Sequence, residues 1–196
     1  MLKLTVVNRM LATLGQAPLN SLSSNSRWLG ACLSALDQAD AEGQSRGWWF
    51  NEEKITLQPS AVDSRIYLPG DTSSVTPHDL IDRGVVQRGD KLYDLANGTD
   101  LFTKEVTVTL RRRIPFEQLP EQAADWIAAE AIYWFQSTYD GDEGKTRRLD
   151  AMRQMAYRTF KNEDTNQRKA NLVDSNQQVQ LIRSFSRRQG YRIPTR

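Results

Sequence analysis

The chain has 196 residues, 39% of them hydrophobic and 26% charged, with 26 Lys plus Arg against 24 Asp plus Glu. That length fits one domain, or one domain carrying a smaller insertion, and chains of about 150 residues already bury roughly 70% of their unfolded surface. A net charge of +2 excludes a strongly basic nucleic-acid coat, and a single Cys (Cys32) and single His (His78) exclude a zinc finger, a disulfide framework or a His-containing metal cluster within one protomer. Neither metal nor cofactor is expected, and a Ser-His-Asp triad would have to use His78, in the turn-like Pro77-His78-Asp79.

Met1-Leu2-Lys3-Leu4 is followed at once by polar Thr5, Asn8 and Arg9, so the start does not read as a signal peptide. Nothing approaches the roughly 20 apolar residues of a membrane span. A soluble, cytoplasmic protein at synthesis is expected, without a membrane partner.

Val7, Met10, Leu11 and Leu14 fall at i, i+3, i+4 and i+7, one stripe of a first helix that Gly15 and then Pro18 bring to an end. The polar run from Asn20 to Ser26 offers caps for a second helix, expected to run to about Glu42 with Trp28, Cys32, Ala35, Leu36 and Ala39 on one face. Ala31, Ala35, Ala39 and Ala41 suit close packing on a neighbouring helix.

The character changes at Gly47. Trp48-Trp49-Phe50, Ile55-Thr56-Leu57 and Arg65-Ile66-Tyr67-Leu68 read as short strands, and Thr72 to Asp79 as an exposed loop. Val85-Val86-Gln87 and Lys91-Leu92-Tyr93-Asp94 flank Arg88-Gly89-Asp90; the tripeptide matches a cell-adhesion motif but reads as the turn of a hairpin. Val106, Val108 and Leu110 alternate with Thr107, Thr109 and Arg111, the pattern of a half-buried antiparallel strand.

Helix returns near Pro120, with Ala124, Ile127, Ala131, Trp134 and Phe135 on one face through about Tyr139. After the Gly141-to-Gly144 break, a fourth helix is expected from about Lys145 to Lys161, with Leu149, Met152, Ala156 and Phe160 on one side. From Asn162 the chain is polar and reads as an extended arm that orders against something else. Its last 16 residues hold Arg183, Arg187, Arg188, Arg192 and Arg196 and no acid, with Phe185 and Tyr191 between them. Residues 1–100 carry 9 basic and 12 acidic residues (−3), residues 101–196 carry 17 and 12 (+5), so the small net charge hides an asymmetric molecule.

The expected architecture is α+β: a discontinuous four-helix bundle (1–47 and 115–161), an antiparallel β-rich insertion (48–114) and a C-terminal docking arm (162–196). Glu52-Glu53 and Asp142-Glu143 are adjacent acids, but neighbours on a strand point to opposite faces, which makes Glu52 and Glu53 a poor catalytic pair. No catalytic residue is assigned. Arg111-Arg112-Arg113 and Lys145-Arg147-Arg148 read as solvated faces, as interface pairs or as phosphate contacts. For partner binding, Trp48 and Trp49 stand out at the helix-to-strand junction, and Arg183, Phe185, Arg187, Arg188, Tyr191 and Arg192 in the arm, because Arg and aromatic residues are enriched at interfaces.

Several segments together carry a resemblance. They are Val7-Asn8-Arg9-Met10-Leu11-Ala12-Thr13-Leu14-Gly15-Gln16-Ala17-Pro18, then Gln44-Ser45-Arg46-Gly47-Trp48-Trp49-Phe50-Asn51-Glu52-Glu53, the hairpin Val85 to Asp94, and the passage from Val106 to Ile127. In that order they resemble the tail tubular protein A family, the tail adaptors of short-tailed podovirus-type phages, over residues 5–160. The resemblance implies a structural virion-tail protein, assembled in the host cytoplasm as a dodecameric ring. It implies a portal protein above, the nozzle protein (tail tubular protein B) below, tail fibres attached near that junction, and DNA passing through the channel without specific binding. Two other readings are a carboxylate-based glycan hydrolase acting on the host envelope and a nucleic-acid-binding module drawing on the basic second half.

Overall fold

The computed structural model describes residues 1–78 and 84–174, and helix, sheet and helix follow one another through them as the sequence predicts. Helix α1 (Lys3–Thr13) buries Val7, Met10 and Leu11 of the predicted stripe, with Val6 beside them. Its end is a Schellman turn: Gly15 N–H donates to Ala12 O at 3.1 Å and Gln16 N–H to Leu11 O at 2.9 Å. Gly15 takes φ +66° there, a conformation that costs other residues about 1–2 kcal/mol.

Helix α2 (Leu29–Gln44) buries Cys32, Leu36 and Ala39, and helix α3 (Glu121–Tyr139) buries Ala124, Ile127, Ala131 and Phe135, as their spacing requires. Of the alanines expected to pack closely, Ala39 is buried in the core and Ala31 and Ala35 lie against it, Ala41 alone is exposed, and the tightest approach is at Gly43. A Cβ placed there would meet Ile127 Cγ1 of α3 at 2.8 Å, so α2 lies against α3 with no room for a side chain. Helix α3 is central, packing on α1, α2 and α4. All four helices share one apolar core, from Val6 to Phe160, so the two sequence halves of the helical unit are buried against each other.

Helix α4 is longer than its sequence suggests. It spans Glu143–Asp174, so the end expected at Lys161 is corrected by 13 residues and the polar stretch after Asn162 is helical as far as Asp174. Composition misleads here because this part of α4 is held by charge pairs, described below, instead of by an apolar stripe.

In the sheet, β5 (Val106–Arg112) is central, with β1 (Glu52–Leu57) and β2 (Thr72–Pro77) antiparallel on either side. Ile55 faces Val108 and Leu57 faces Val106 across one ladder, and Val75 faces Leu110 across the other. Val106, Val108 and Leu110 are buried, as their alternation predicts. The loop expected from Thr72 is therefore a strand as far as Pro77. Its Ser and Thr residues carry little apolar signal, and β5 supplies the pairing; Pro77 ends it at the sheet edge, where a missing donor is tolerated. Asp79 lies outside the described residues. Strands β3 (Val85–Arg88) and β4 (Lys91–Asp94) form the predicted hairpin, with Gly89 at φ +62°. Arg65–Leu68 is corrected from a strand to isolated bridges, Arg65 with Leu101 and Tyr67 with Lys91. Trp48–Phe50 is corrected from a strand to a turn. A second apolar core, including Ile66, Leu92, Phe102 and the inward residues of β5, belongs to this β unit. Among the described residues no helix is long and apolar enough to cross a membrane.

Candidate functional site

The segment from Ser45 to Glu52 connects α2 to β1 and carries Trp48 into the helical core. Asn51 closes the turn: its Oδ1 accepts from Trp48 N–H at 2.8 Å, and its amide donates to Gln44 O at 3.1 Å. The Asn51 carbonyl in turn accepts from Arg112 N–H of β5 at 2.8 Å, so one residue ties the end of α2 to the sheet. A Cβ at Gly47 would stand 2.5 Å from Glu52 Oε1, so a larger residue there would displace the Glu52 carboxylate.

This turn delivers Trp48 and Trp49 to different environments. Trp48 is buried, its indole N–H donating to Gly43 O at 2.7 Å. Trp49 is half-buried and packs edge-on against Phe50, with ring centroids 5.1 Å apart. Phe160 of α4 sits beneath both, fully buried. Its ring centre is 4.6 Å from Trp48, 5.5 Å from Trp49 and 4.9 Å from Trp126 of α3, the last in a near-parallel stack. One phenylalanine thus joins α3, α4 and the turn between α2 and β1.

The next turn of α4 adds a polar clamp. Asp164, only 3% exposed, accepts from Trp49 N–H at 3.3 Å and from Arg168 Nε at 2.8 Å, and pairs with Lys161 Nζ at 3.3 Å. Arg168 also donates to Gly47 O at 2.8 Å and pairs with Glu52 at 3.5 Å. Burial pushes the Asp164 carboxyl up, but the bonds and charges of Arg168 and Lys161 outweigh it and leave its pKa below the ordinary carboxylate value. The hydrogen bond to Asp164 raises Arg168 in return. Sequence reading missed both residues because they lie in the stretch taken for an arm. The i, i+3 and i+4 spacing of Lys161, Asp164 and Arg168 was the available signal.

On the sheet side, Arg111 and Arg112 of the Arg111-Arg112-Arg113 run are half-buried and Arg113 is exposed to solvent. All three arginines bind within the chain, and they brace the sheet to α2 and to neighbouring loops. Arg111 donates to Ser45 O at 2.6 Å, Arg112 pairs with Glu53 and Asp71, and Arg113 pairs with the buried Asp40 of α2 at 3.4 Å. Gln44, also buried, links Asp40 and the Ile114 carbonyl, which its amide reaches at 2.7 and 2.8 Å. Glu52 and Glu53 are thereby engaged with different partners, Arg168 and Arg112. Asp142 Oδ1 accepts from Lys145 N–H at 2.7 Å at the start of α4, and Glu143 pairs with Arg147 one turn on. Arg88 stacks on Tyr93, its guanidinium 3.6 Å from the ring centre, as part of the hairpin. Among the described residues no group of three or more His, Cys, Asp or Glu is placed to hold a metal. Arg183, Phe185, Arg187, Arg188, Tyr191 and Arg192 lie outside the described residues.

The bonds of Asn51 and Arg168 tie the end of α2, the sheet and α4 together at the Ser45–Glu52 segment, and Trp49 stays half-buried there. The family described as tail tubular protein matches residues 4–181, spanning both units and the clamp. The chain is also similar to tail tubular protein A of Klebsiella phage KP34, with 30% identity over 128 residues, covering 65% of this chain and 68% of that protein.

Proposed function

Since the chain belongs to the tail tubular protein family, structural components of phage tails, we propose that it is a ring-forming tail adaptor joining the portal to the tail nozzle. The observation that carries this reading is the extent of the match, which runs through both units and the junction instead of resting on one motif. An adaptor transmits position between the assemblies above and below it, and a junction locked by Phe160, Asp164 and Arg168 suits that task. In this reading the ring is a dodecamer around the DNA channel, DNA passes without specific binding, and tail fibres attach where adaptor and nozzle (tail tubular protein B) meet.

The helical unit (1–47 and 115–174) builds the ring wall and the β unit (48–114) projects from it. The segment after α4 reaches the portal through Arg183, Phe185, Arg187, Arg188, Tyr191 and Arg192, and Trp49 offers a contact at the junction. Assembly takes place in the host cytoplasm before the protein reaches the virion tail. The chain acts as no enzyme in this account, and the acids that suggested glycan hydrolysis lend it no support, being engaged in ion pairs or as a helix cap.

The test is native mass spectrometry and electron microscopy of the purified protein, with and without portal rings. Ring-sized assemblies that bind portal are expected, and a strict monomer that never joins a portal ring refutes the proposal. Deleting residues 175–196 is expected to leave the fold intact and weaken portal binding; unchanged binding would remove the tail from the docking role.

A further inference from the structure

A ring is closed by heterologous contacts, in which one face of a subunit meets a different face of the next. The helical unit carries two faces suited to each other. Helices α2 and α4 both pack on α3 and share no extensive contact, which leaves each with an outward side. On α4, Arg148, Met152, Met155 and Thr159 follow at i, i+4, i+7 and i+11, a single stripe turned away from the Leu149–Phe160 side that enters the core, so Met152, expected on that core side, lies outside it. Met155 is 72% exposed and Met152 46%, large apolar side chains left in water at the middle of an otherwise polar helix. Arg148 and Arg158 are exposed beside them and have no ion-pair partner among the described residues.

The outward side of α2 is opposite in both respects. Gly30, Ser34 and Ala41 make it small where α4 is bulky, and Asp37 and Glu42 make it acidic where α4 is basic. Charge follows the same division along the whole helices. Residues 29–44 hold Asp37, Asp40 and Glu42 and no base, for −3, while residues 143–174 hold eight bases and five acids, for +3. Asp40 is committed internally to Arg113, and Asp37 is held by Lys3 only at 3.8 Å with its side chain 62% exposed. Complementary potentials on two faces of one molecule favour head-to-tail pairing and disfavour α4-on-α4 pairing, where arginines would meet arginines.

We propose that the Arg148–Met155 face of α4 docks on the Ser34–Glu42 face of α2 of a second copy of this chain. The inference rests on the ring reading above and adds to it which surfaces meet.

The test uses the full chain. Ser34→Cys and Met155→Cys single variants are oxidised separately and mixed, beside sedimentation of the wild type. Disulfide-linked dimers are expected from the mixture and not from either variant alone, and the double variant should give a ladder of linked multimers. Arg148→Glu with Arg158→Glu should weaken self-association about tenfold or more, and adding Asp37→Lys with Glu42→Lys in the same chain should restore it. That rescue separates a lost contact from a lost fold. Linkage within Met155→Cys alone would show α4 facing α4 and overturn the proposal. A wild-type multimer that yields no link and ignores the charge reversals would overturn the α4–α2 contact while leaving the ring intact. A wild type that is monomeric at every concentration, alone and with portal, would overturn both.

Discussion

Phe160 is where the helical core, α4 and the α2–β1 turn converge, so its truncation tests the junction most directly. The side chain is fully buried and touches four rings: Trp48, Trp126, Trp49 and, at 6.3 Å, Phe50. Removing a buried Phe costs about 3–5 kcal/mol from lost transfer energy and the residual cavity. Aromatic pairs add about 0.5–1.5 kcal/mol each beyond burial, and they are not additive. Phe160→Ala is therefore expected near the top of that range, at about 4–5 kcal/mol. Phe160→Leu keeps most of the volume and loses only the ring contacts and shape, so it should cost less than about 2 kcal/mol. Urea titrations followed by tryptophan fluorescence suit the question, because three of the neighbouring rings are tryptophans. At this chain length each kcal/mol moves Tm by about 2–4 °C, so the alanine variant should melt about 8–20 °C lower. Protein concentration must be matched, since assembly would stabilise the folded state by mass action. An alanine variant losing under about 2 kcal/mol, or a leucine variant as damaging as the alanine one, would refute the account of Phe160 as the keystone.

Asp164 has a folded pKa below its unfolded value of about 3.9, so its contribution is present above that value and is lost as pH falls through the folded pKa. Asp164→Asn should cost about 1–2 kcal/mol at pH 7, discounted because Arg168 and Lys161 are 43% and 51% exposed, and the gap from wild type should shrink below about pH 4. A gap in urea midpoints that stays constant down to pH 3 would contradict this. Gly43→Ala gains about 0.8–1 kcal/mol of helix propensity but overpacks Ile127, which typically costs about 1–3 kcal/mol, so a net loss is expected, and the alanine should stop costing once Ile127 is also Ala. A stabilised Gly43→Ala single variant would show that α2 and α3 have slack. Burial pushes the Cys32 thiol up to about 11, so a thiol reagent at pH 8 should label it only on denaturation; rapid stoichiometric labelling of the native protein would place it at the surface.

Much of the fold was legible locally. The stripes of α1, α2 and α3, the alternation of β5 and the Gly89 hairpin each carry a period or a turn residue, and each forms where that signal lies. Strand β2 and the second half of α4 carry neither. Thr72–Pro77 becomes a strand because β5 offers it a ladder, and residues 162–174 stay helical while Asp164 and Arg168 anchor that stretch to Gly47 and Trp49. The Trp48-Trp49 pair was conspicuous in the sequence, yet which ring goes inward is set by Asn51 closing the turn and Phe160 waiting beneath it.

By itself the sequence determined the α+β class, the helix–sheet–helix order, the resemblance to tail adaptors and the charge asymmetry, because each depends on composition or on residues close together in the chain. Only the tertiary structure decided how the arginine run is spent, how far α4 extends and which helix faces remain uncovered. Those outcomes join residues as far apart as Trp49 and Asp164, and a pairing across that separation leaves no periodic trace in the sequence.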